Sequence, residues 1–361
     1  MSATISSVQV YPIAVPLKSP FKTALRTVTT AESLLVQITD SDGVTGLGEA
    51  APTAAITGDT SASIRYVIEN VIAPKIIGAS LADSEALKAL IETSIVNNHS
   101  PKAALNIAVN DLLAKHYGVP LNELLGGYRQ QIETDYTVSV GTTDAMVTHA
   151  QQLVKEGFDT LKVKVGNQSP FDDVKQVRAI RKAVGSEIKI RLDANQGWQK
   201  KQATVAINTM YEEGLNLELV EQPVPAADFE GMAYVTAHTP IPIMADESIF
   251  SVADALRLLN MDGCDIINLK LMKAGGIDNA LRINTLAEAF GVPCMVGSMI
   301  ESQVSVTAAA HMAAAKANIQ YYDLDAAMMF QNQPTDGGIT HEGRLITLPN
   351  TPGIGVSLQH N

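Results

Sequence analysis

Three acidic residues, Asp193, Glu221 and Asp246, each close a short β-rich run: Ile188–Asp193, Leu217–Glu221 and Ile241–Asp246. If those runs are neighbouring parallel strands, the carboxylates meet at one end of a sheet. They repel one another unless a cation stands between them. A set of oxygen ligands with neither Cys nor His selects a hard ion, Mg²⁺ first and Mn²⁺ as a possible substitute, one per active site. The run before them ends Leu161-Lys162-Val163-Lys164, and alternation puts both lysines on one face. One ammonium beside another releases its proton more readily, as a base working near neutral pH requires. Another lysine, Lys270, closes Asp265–Lys270, and Asp323-Leu324-Asp325 brings two more carboxylates to one face at the end of Ile319–Leu324.

These residues need a scaffold that gathers strand ends. The remaining β-rich runs are Thr134–Val140, Thr160–Val165 and Val292–Gly297, which makes eight in all. One residue at or near each end, Thr137, Lys164, Asp193, Glu221, Asp246, Lys270, Ser298 and Asp323, recurs at steps of 24 to 29 residues. Helical patterns lie between the runs, as in Ala145–Glu156, Asp172–Val184 and Ile277–Phe290. Strands alternating with helices at this period predict a (β/α) barrel, whose chemistry sits at the C-terminal strand ends. An open doubly wound sheet needs a reversal of strand order that nothing here signals. No clear helix follows Asp325, and Gly337-Gly338 and Pro352-Gly353 mark an irregular tail.

The chain before the barrel reads differently. Strands are predicted at Ser7–Pro12 and Ser33–Thr39, with a hairpin turn at Asp42-Gly43, and a helical pattern from Thr60 to Tyr117. The expected division is a capping domain over 1–128, a barrel over 129–330 and a C-terminal segment, 331–361, returning to the cap.

In a ring of eight strands the second and sixth are opposed, so Lys164 and Lys270 face each other across the mouth. The carboxylate triad centres on the fourth strand, and the eighth, with Asp323 and Asp325, lies opposite. A ligand spanning the two has a negative end on the metal and a positive end on the aspartates, as an amino acid or small peptide does. Two bases on opposite faces of one carbon suit removal of a proton from one face and its return to the other. That inverts a stereocentre α to the metal-bound carboxylate, where the cation stabilises an enediolate.

Lys162-Val-Lys164, Asp193-Ala-Asn195, Glu221-Gln-Pro223, Asp246-Glu247-Ser248 and Asn268-Leu-Lys270, running into Lys273-Ala-Gly-Gly276, resemble the enolase superfamily, muconate-lactonising subgroup, over essentially the whole chain. Lysine or histidine bases working with Mg²⁺ are a known property of that superfamily. The resemblance implies an α/β fold, a modified (β/α)7β TIM-type barrel with an α+β capping domain. Asp323-Leu-Asp325 looks like the pair that holds the substrate ammonium in the subgroup's dipeptide epimerases. The cap segment Phe21–Thr27, with Ile56–Asp59, is similar to the mobile loops of those acting on L-Ala-D/L-Glu, which implies that Arg26, helped by Thr137, binds a glutamate side chain. Lys164 and Lys270 become the acid/base pair, and Lys162 neutralises the bound carboxylate and tunes Lys164. Ser298, where some subgroups place a catalytic histidine, counts among the substrate-binding positions. The implied activity is epimerisation of the C-terminal residue of a dipeptide, L-Ala-D/L-Glu favoured, in murein peptide recycling. An N-acylamino-acid racemase or o-succinylbenzoate synthase is the alternative on this scaffold, but its substrate brings no ammonium to Asp323 and Asp325. A non-catalytic metal- or peptide-binding barrel gains nothing from two opposed bases.

Composition narrows the class. The 361 residues carry 26 Lys+Arg against 38 Asp+Glu, a net charge of −12, which argues against a nucleic-acid partner. Two cysteines make no disulfide framework. The start MSATISSVQV does not read as a signal peptide, and no apolar run is long enough to span a membrane. A cytoplasmic homo-oligomer acting on a small molecule is expected. Lys273 is read as a solvated loop residue, Gly275-Gly276 as a turn, Trp198 as packing, and Met328 and Met329 as core, with one of the two lining the pocket as the alternative.

Overall fold

In the computed structural model, which describes residues 3–359, β1 (Ile5–Lys22), β2 (Thr27–Asp40) and β3 (Thr45–Ala50) form an antiparallel sheet in that order. The outermost residues of the first and third expected segments, 1–2 and 360–361, lie outside the described residues. β1 runs well past the predicted Ser7–Pro12. Pro12, Pro16 and Pro20 break its pattern in sequence, yet it is an edge strand, where a proline costs least. The β2–β3 turn falls at Asp42-Gly43 as predicted: Asp40 Oδ1 accepts from the N–H groups of Asp42 and Val44 at 2.9 Å each, and Gly43 takes φ 81°. Behind the sheet lies the helix His99–Tyr117, buried continuously from Ser100 to Ala114. Its apolar residues surround it because it is wedged between the cap sheet and the barrel.

β4 (Gln131–Glu133) leads into eight parallel strands: β5 (Tyr136–Val138), β6 (Thr160–Lys164), β7 (Lys189–Asp193), β8 (Leu217–Glu221), β9 (Ile243–Ala245), β10 (Ile266–Leu269), β11 (Cys294–Gly297) and β12 (Ile319–Asp323). They pair in sequence order. The seam between β12 and β5 is spanned by Asp135 N–H to Tyr322 O at 3.3 Å and Leu324 N–H to Thr134 Oγ1 at 2.9 Å, so the barrel is nearly closed. Helices fill all seven connections, each between consecutive strands, and only a 3₁₀ turn, Ala326–Met329, follows β12. The caps are those the sequence supplies: Pro170–Val184 starts after Ser169, whose side chain accepts from Asp172 N, with Pro170 in the first turn, and stops at Gly185.

In the tail, β13 (Thr335–Gly337) pairs with β16 (Val356–Leu358), and β14 (Thr340–Glu342) and β15 (Leu345–Thr347) extend β4. Ile354 N–H donates to Asp111 Oδ1 at 2.8 Å, which brings the tail back to the long cap helix. Among the described residues no helix is long and apolar enough to cross a membrane. Cys264 and Cys294 are buried free thiols.

Candidate active site

Strand register gathers the charged residues. Lys164 pairs with Asp193 across β6–β7, and Asp193 with Glu221 across β7–β8, so the three lie level at the C-terminal rim. Asp246 stands one residue beyond β9, and Lys270 one beyond β10. β6 is buried along its whole length. Its alternation sends Leu161 and Val163 into the apolar layer and both lysines inward.

Each lysine meets a carboxylate. Lys162 Nζ lies 2.5 Å from Glu221 Oε2, 2.7 Å from Asp323 Oδ2 and 3.4 Å from Asp193 Oδ2. Lys164 Nζ stands 2.5 Å from Asp193 Oδ2, and Lys270 Nζ 2.7 Å from Asp246 Oδ2. Lys273 corrects the expectation of a solvated loop residue. It is fully buried, with Nζ 2.7 Å from Asp246 Oδ1, and donates to the carbonyls of Asp246, Ile249 and Asn268. The one-turn helix Leu271–Ala274 carries it inward. Its apolar neighbours Leu271 and Met272, followed by Gly275-Gly276, were the available signal.

Above this layer a cavity opens, and Arg26, Thr137, Lys164, Lys270, Ser298, Asp323 and Asp325 all line it. Asp193, Glu221, Asp246 and Lys162 are buried below, each with no measurable exposure. Lys164 and Lys270 reach the cavity from strands four apart in the ring of eight. Asp325 Oδ2 accepts from Thr137 N–H at 2.7 Å. Phe21, Ile56, Met299 and Ile300 supply apolar wall, and the Phe21 ring centroid lies 5.8 Å from Lys164 Nζ. Asn195 also lines the cavity, and its Nδ2 donates to Glu247 Oε1 at 3.1 Å. Sequence reasoning quoted both residues within motifs but assigned them no role. Neither Met328 nor Met329 lines this cavity, and Trp198 is buried packing whose indole N–H donates to Asp173 Oδ2 at 2.8 Å. Gly275 and Gly276 form the expected turn, at φ 80° and 122°.

The electrostatics are those of an acidic cluster held by lysines. Burial, then the charges of Asp193 and Asp246, push Glu221 up to about 7. Burial and Asp246 push Glu247 up to about 8. For Asp246 burial acts upward, but Lys270 and Lys273 outweigh it and hold the carboxyl far below its usual range. For Lys270 burial acts downward, and Asp246 outweighs it and keeps the ammonium protonated. Among the described residues no group of three or more His, Cys, Asp or Glu stands in position to hold a metal ion, because the lysines take the carboxylate oxygens. The donor chemistry nevertheless fits a hard cation. The buried oxygens Asn195 Oδ1 and Glu247 Oε2 have neither a hydrogen bond nor an ion pair among the described residues, and the raised Glu247 marks uncompensated negative charge.

The fold recurs in known proteins. Residues 5–126 match the mandelate racemase / muconate lactonizing enzyme N-terminal domain, and residues 145–361 the enolase C-terminal domain-like model. The L-Ala-D/L-Glu epimerase of Bacillus subtilis (strain 168) is 51% identical over 344 residues, covering 95% of this chain and 94% of the relative. The structure of a substrate-liganded complex of the Bacillus subtilis L-Ala-D/L-Glu epimerase superposes with a TM-score of 0.97 at 50% identity, over 98% of each chain. The dipeptide epimerase of Enterococcus faecalis V583, complexed with Mg and L-Leu-L-Tyr, gives 0.95 at 42% identity, over 99% of this chain and 100% of that one.

Proposed function

The chain belongs to the mandelate racemase / muconate lactonizing enzyme family of the enolase superfamily and is an isomerase of the epimerase class, and on that premise we propose that it inverts the α-carbon of the C-terminal residue of a dipeptide, L-Ala-D/L-Glu favoured, with Mg²⁺ and two lysines. The observation that carries this reading is the single cavity shared by Lys164, Lys270, Asp323, Asp325 and Arg26.

Each residue has work that its surroundings support. Asp323 and Asp325 bind the α-ammonium by charge-assisted hydrogen bonds. Arg26 has no ion pair or side-chain hydrogen bond among the described residues, and its burial lowers its pKa. An acidic substrate side chain supplies the missing partner, with Thr137 beside it. Asp193, Glu221 and Asp246 would hold the Mg²⁺. When bound, the ion would supply positive charge beside the substrate carboxylate, where negative charge gathers as the α-proton leaves. Lys164 takes the α-proton on one face, and Lys270 delivers one on the other. Lys162 adds its charge beneath the substrate carboxylate, while Phe21 and Ile56 keep water from the base. An enzyme of this specificity acts in murein peptide recycling, where the epimers of Ala-Glu arise. A relative complexed with L-Leu-L-Tyr marks the other end of the specificity range, and an unpaired Arg26 favours the acidic end.

The test is a dipeptide library incubated in D₂O with Mg²⁺ and read by mass spectrometry. Deuterium should enter acidic dipeptides first. A protein that exchanges no α-proton in any dipeptide is not an epimerase of this kind.

A further inference from the structure

β3 reads Thr45-Gly46-Leu47-Gly48-Glu49-Ala50, with glycine at every second position. A Cβ on Gly46 would stand 2.1 Å from Ala108 O, and one on Gly48 1.9 Å from Ala104 O. The bare strand therefore lies directly on the backbone of the helix His99–Tyr117. Alternation turns Leu47 and Glu49 to the opposite face, where Leu47 joins the barrel's apolar core.

Glu49 is fully buried, and its carboxylate crosses from the cap into the barrel. Oε1 accepts from Ser302 N–H at 2.9 Å, and Oε2 from Ser302 Oγ–H at 2.7 Å and Ser305 N–H at 3.0 Å. Ser302 is the N-cap of the helix Gln303–Ala315. Between β11 and that helix runs Ser298-Met299-Ile300-Glu301, whose first three residues line the active-site cavity. This wall belongs to no helix or strand. Glu301 Oε1 accepts from Met299 N–H at 2.6 Å, and Glu301 is itself tied to Ser305 Oγ. Ile300 packs with Leu17 and Ala31 of the cap. The wall thus hangs between the cap and a helix start that Glu49 grips.

We propose that Glu49 is a positioning residue: it latches the cap onto the start of the helix Gln303–Ala315 and so sets the cavity wall Ser298–Ile300. It touches no reacting atom. The wall meets the substrate in ground and transition states alike, so its loosening raises KM and leaves kcat nearly unchanged. Only this kinetic consequence rests on the epimerase reading.

The experiment compares the Mg²⁺-loaded full-length protein with its Glu49→Gln variant, which keeps the shape and loses one acceptor oxygen. KM for the preferred dipeptide should rise about tenfold, the scale of a lost charge-assisted hydrogen bond, with kcat within about threefold. Hydrogen exchange should quicken at 299–305 and stay unchanged in β6–β10. Ser302→Ala removes one of the three contacts and should give the same pattern more weakly, which keeps the test readable if Glu49→Gln does not fold. Unchanged exchange at 299–305 in a folded variant overturns the latch, as does a kcat loss matched by faster exchange throughout the barrel. If the unmutated protein turns over no dipeptide, the epimerase reading fails while the exchange comparison still decides the latch.

Discussion

Lys162 Nζ stands 2.7 Å from Asp323 Oδ2, an ion pair that passes over β5 to join β6 to β12. Burial acts to raise the Asp323 pKa, but Lys162, Lys164 and Lys270 outweigh it and hold the carboxyl down at about 2. The ammonium proposed to bind here would meet a carboxylate that is already charged and already fixed in direction.

Asp323→Asn should lower kcat/KM for a free dipeptide by roughly 10²-fold, the scale of a lost charge-assisted contact with a cation. The fold should survive, because Lys162 keeps Glu221 Oε2 at 2.5 Å. Steady-state kinetics and a thermal melt check both halves. N-acetylated dipeptides, which have no ammonium, should be poor substrates of the parent and should lose little more in the variant.

Asp325 behaves differently from its neighbour. Burial and the Asp323 charge push it up to about 7, against the Thr137 N–H that favours the charged form. A raised carboxyl pKa means that the anion is lost as pH falls through about 7. The kcat/KM profile for a free dipeptide, which reports free-enzyme groups, should fall on that acidic side. Asp325→Asn should lower the plateau and remove the limb.

Arg26→Ala should cost Ala-Glu roughly 10²-fold in kcat/KM and a dipeptide with an apolar second residue less than about threefold, because only the first loses an ion pair. Equal losses would make Arg26 a structural residue of the cap.

Much of this was legible in the chain because barrel strands repeat at a fixed step and place their last residues level. Asp193, Glu221 and Lys164 could be aligned by counting alone, and even Asp246 and Lys270, one residue past their strands, fell within the count. Lys273 escaped because lysine is normally solvated, and only the inward turn of Leu271–Ala274, with three carbonyls waiting, reverses that default. The length of β1 escaped because its prolines hide an edge strand. Glu49 gave no sign of its partners, since a contact between residues 49 and 302 joins two domains and has no local pattern.

Chelation should abolish turnover without unfolding the protein. Lys162, Lys164 and Lys270 stand 2.5, 2.5 and 2.7 Å from oxygens of Glu221, Asp193 and Asp246, so the metal-free carboxylates are already compensated. Circular dichroism should be unchanged after exhaustive chelation, activity should fall by orders of magnitude, and added Mg²⁺ should restore it. Full turnover without a divalent ion would contradict the triad's role.

In the proposed mechanism Lys164 and Lys270 serve opposite faces of one carbon, and α-proton exchange in D₂O, followed by NMR in Lys164→Ala and Lys270→Ala, decides whether they do. Neither variant should invert the stereocentre, since inversion needs a donor on the second face. Each should still exchange the α-proton of one epimer, slowed by about 10²–10⁴-fold or less, as the surviving base works alone. The two variants should exchange opposite epimers. If both exchange the same epimer, or either inverts at near the parental rate, the opposed two-base arrangement is wrong.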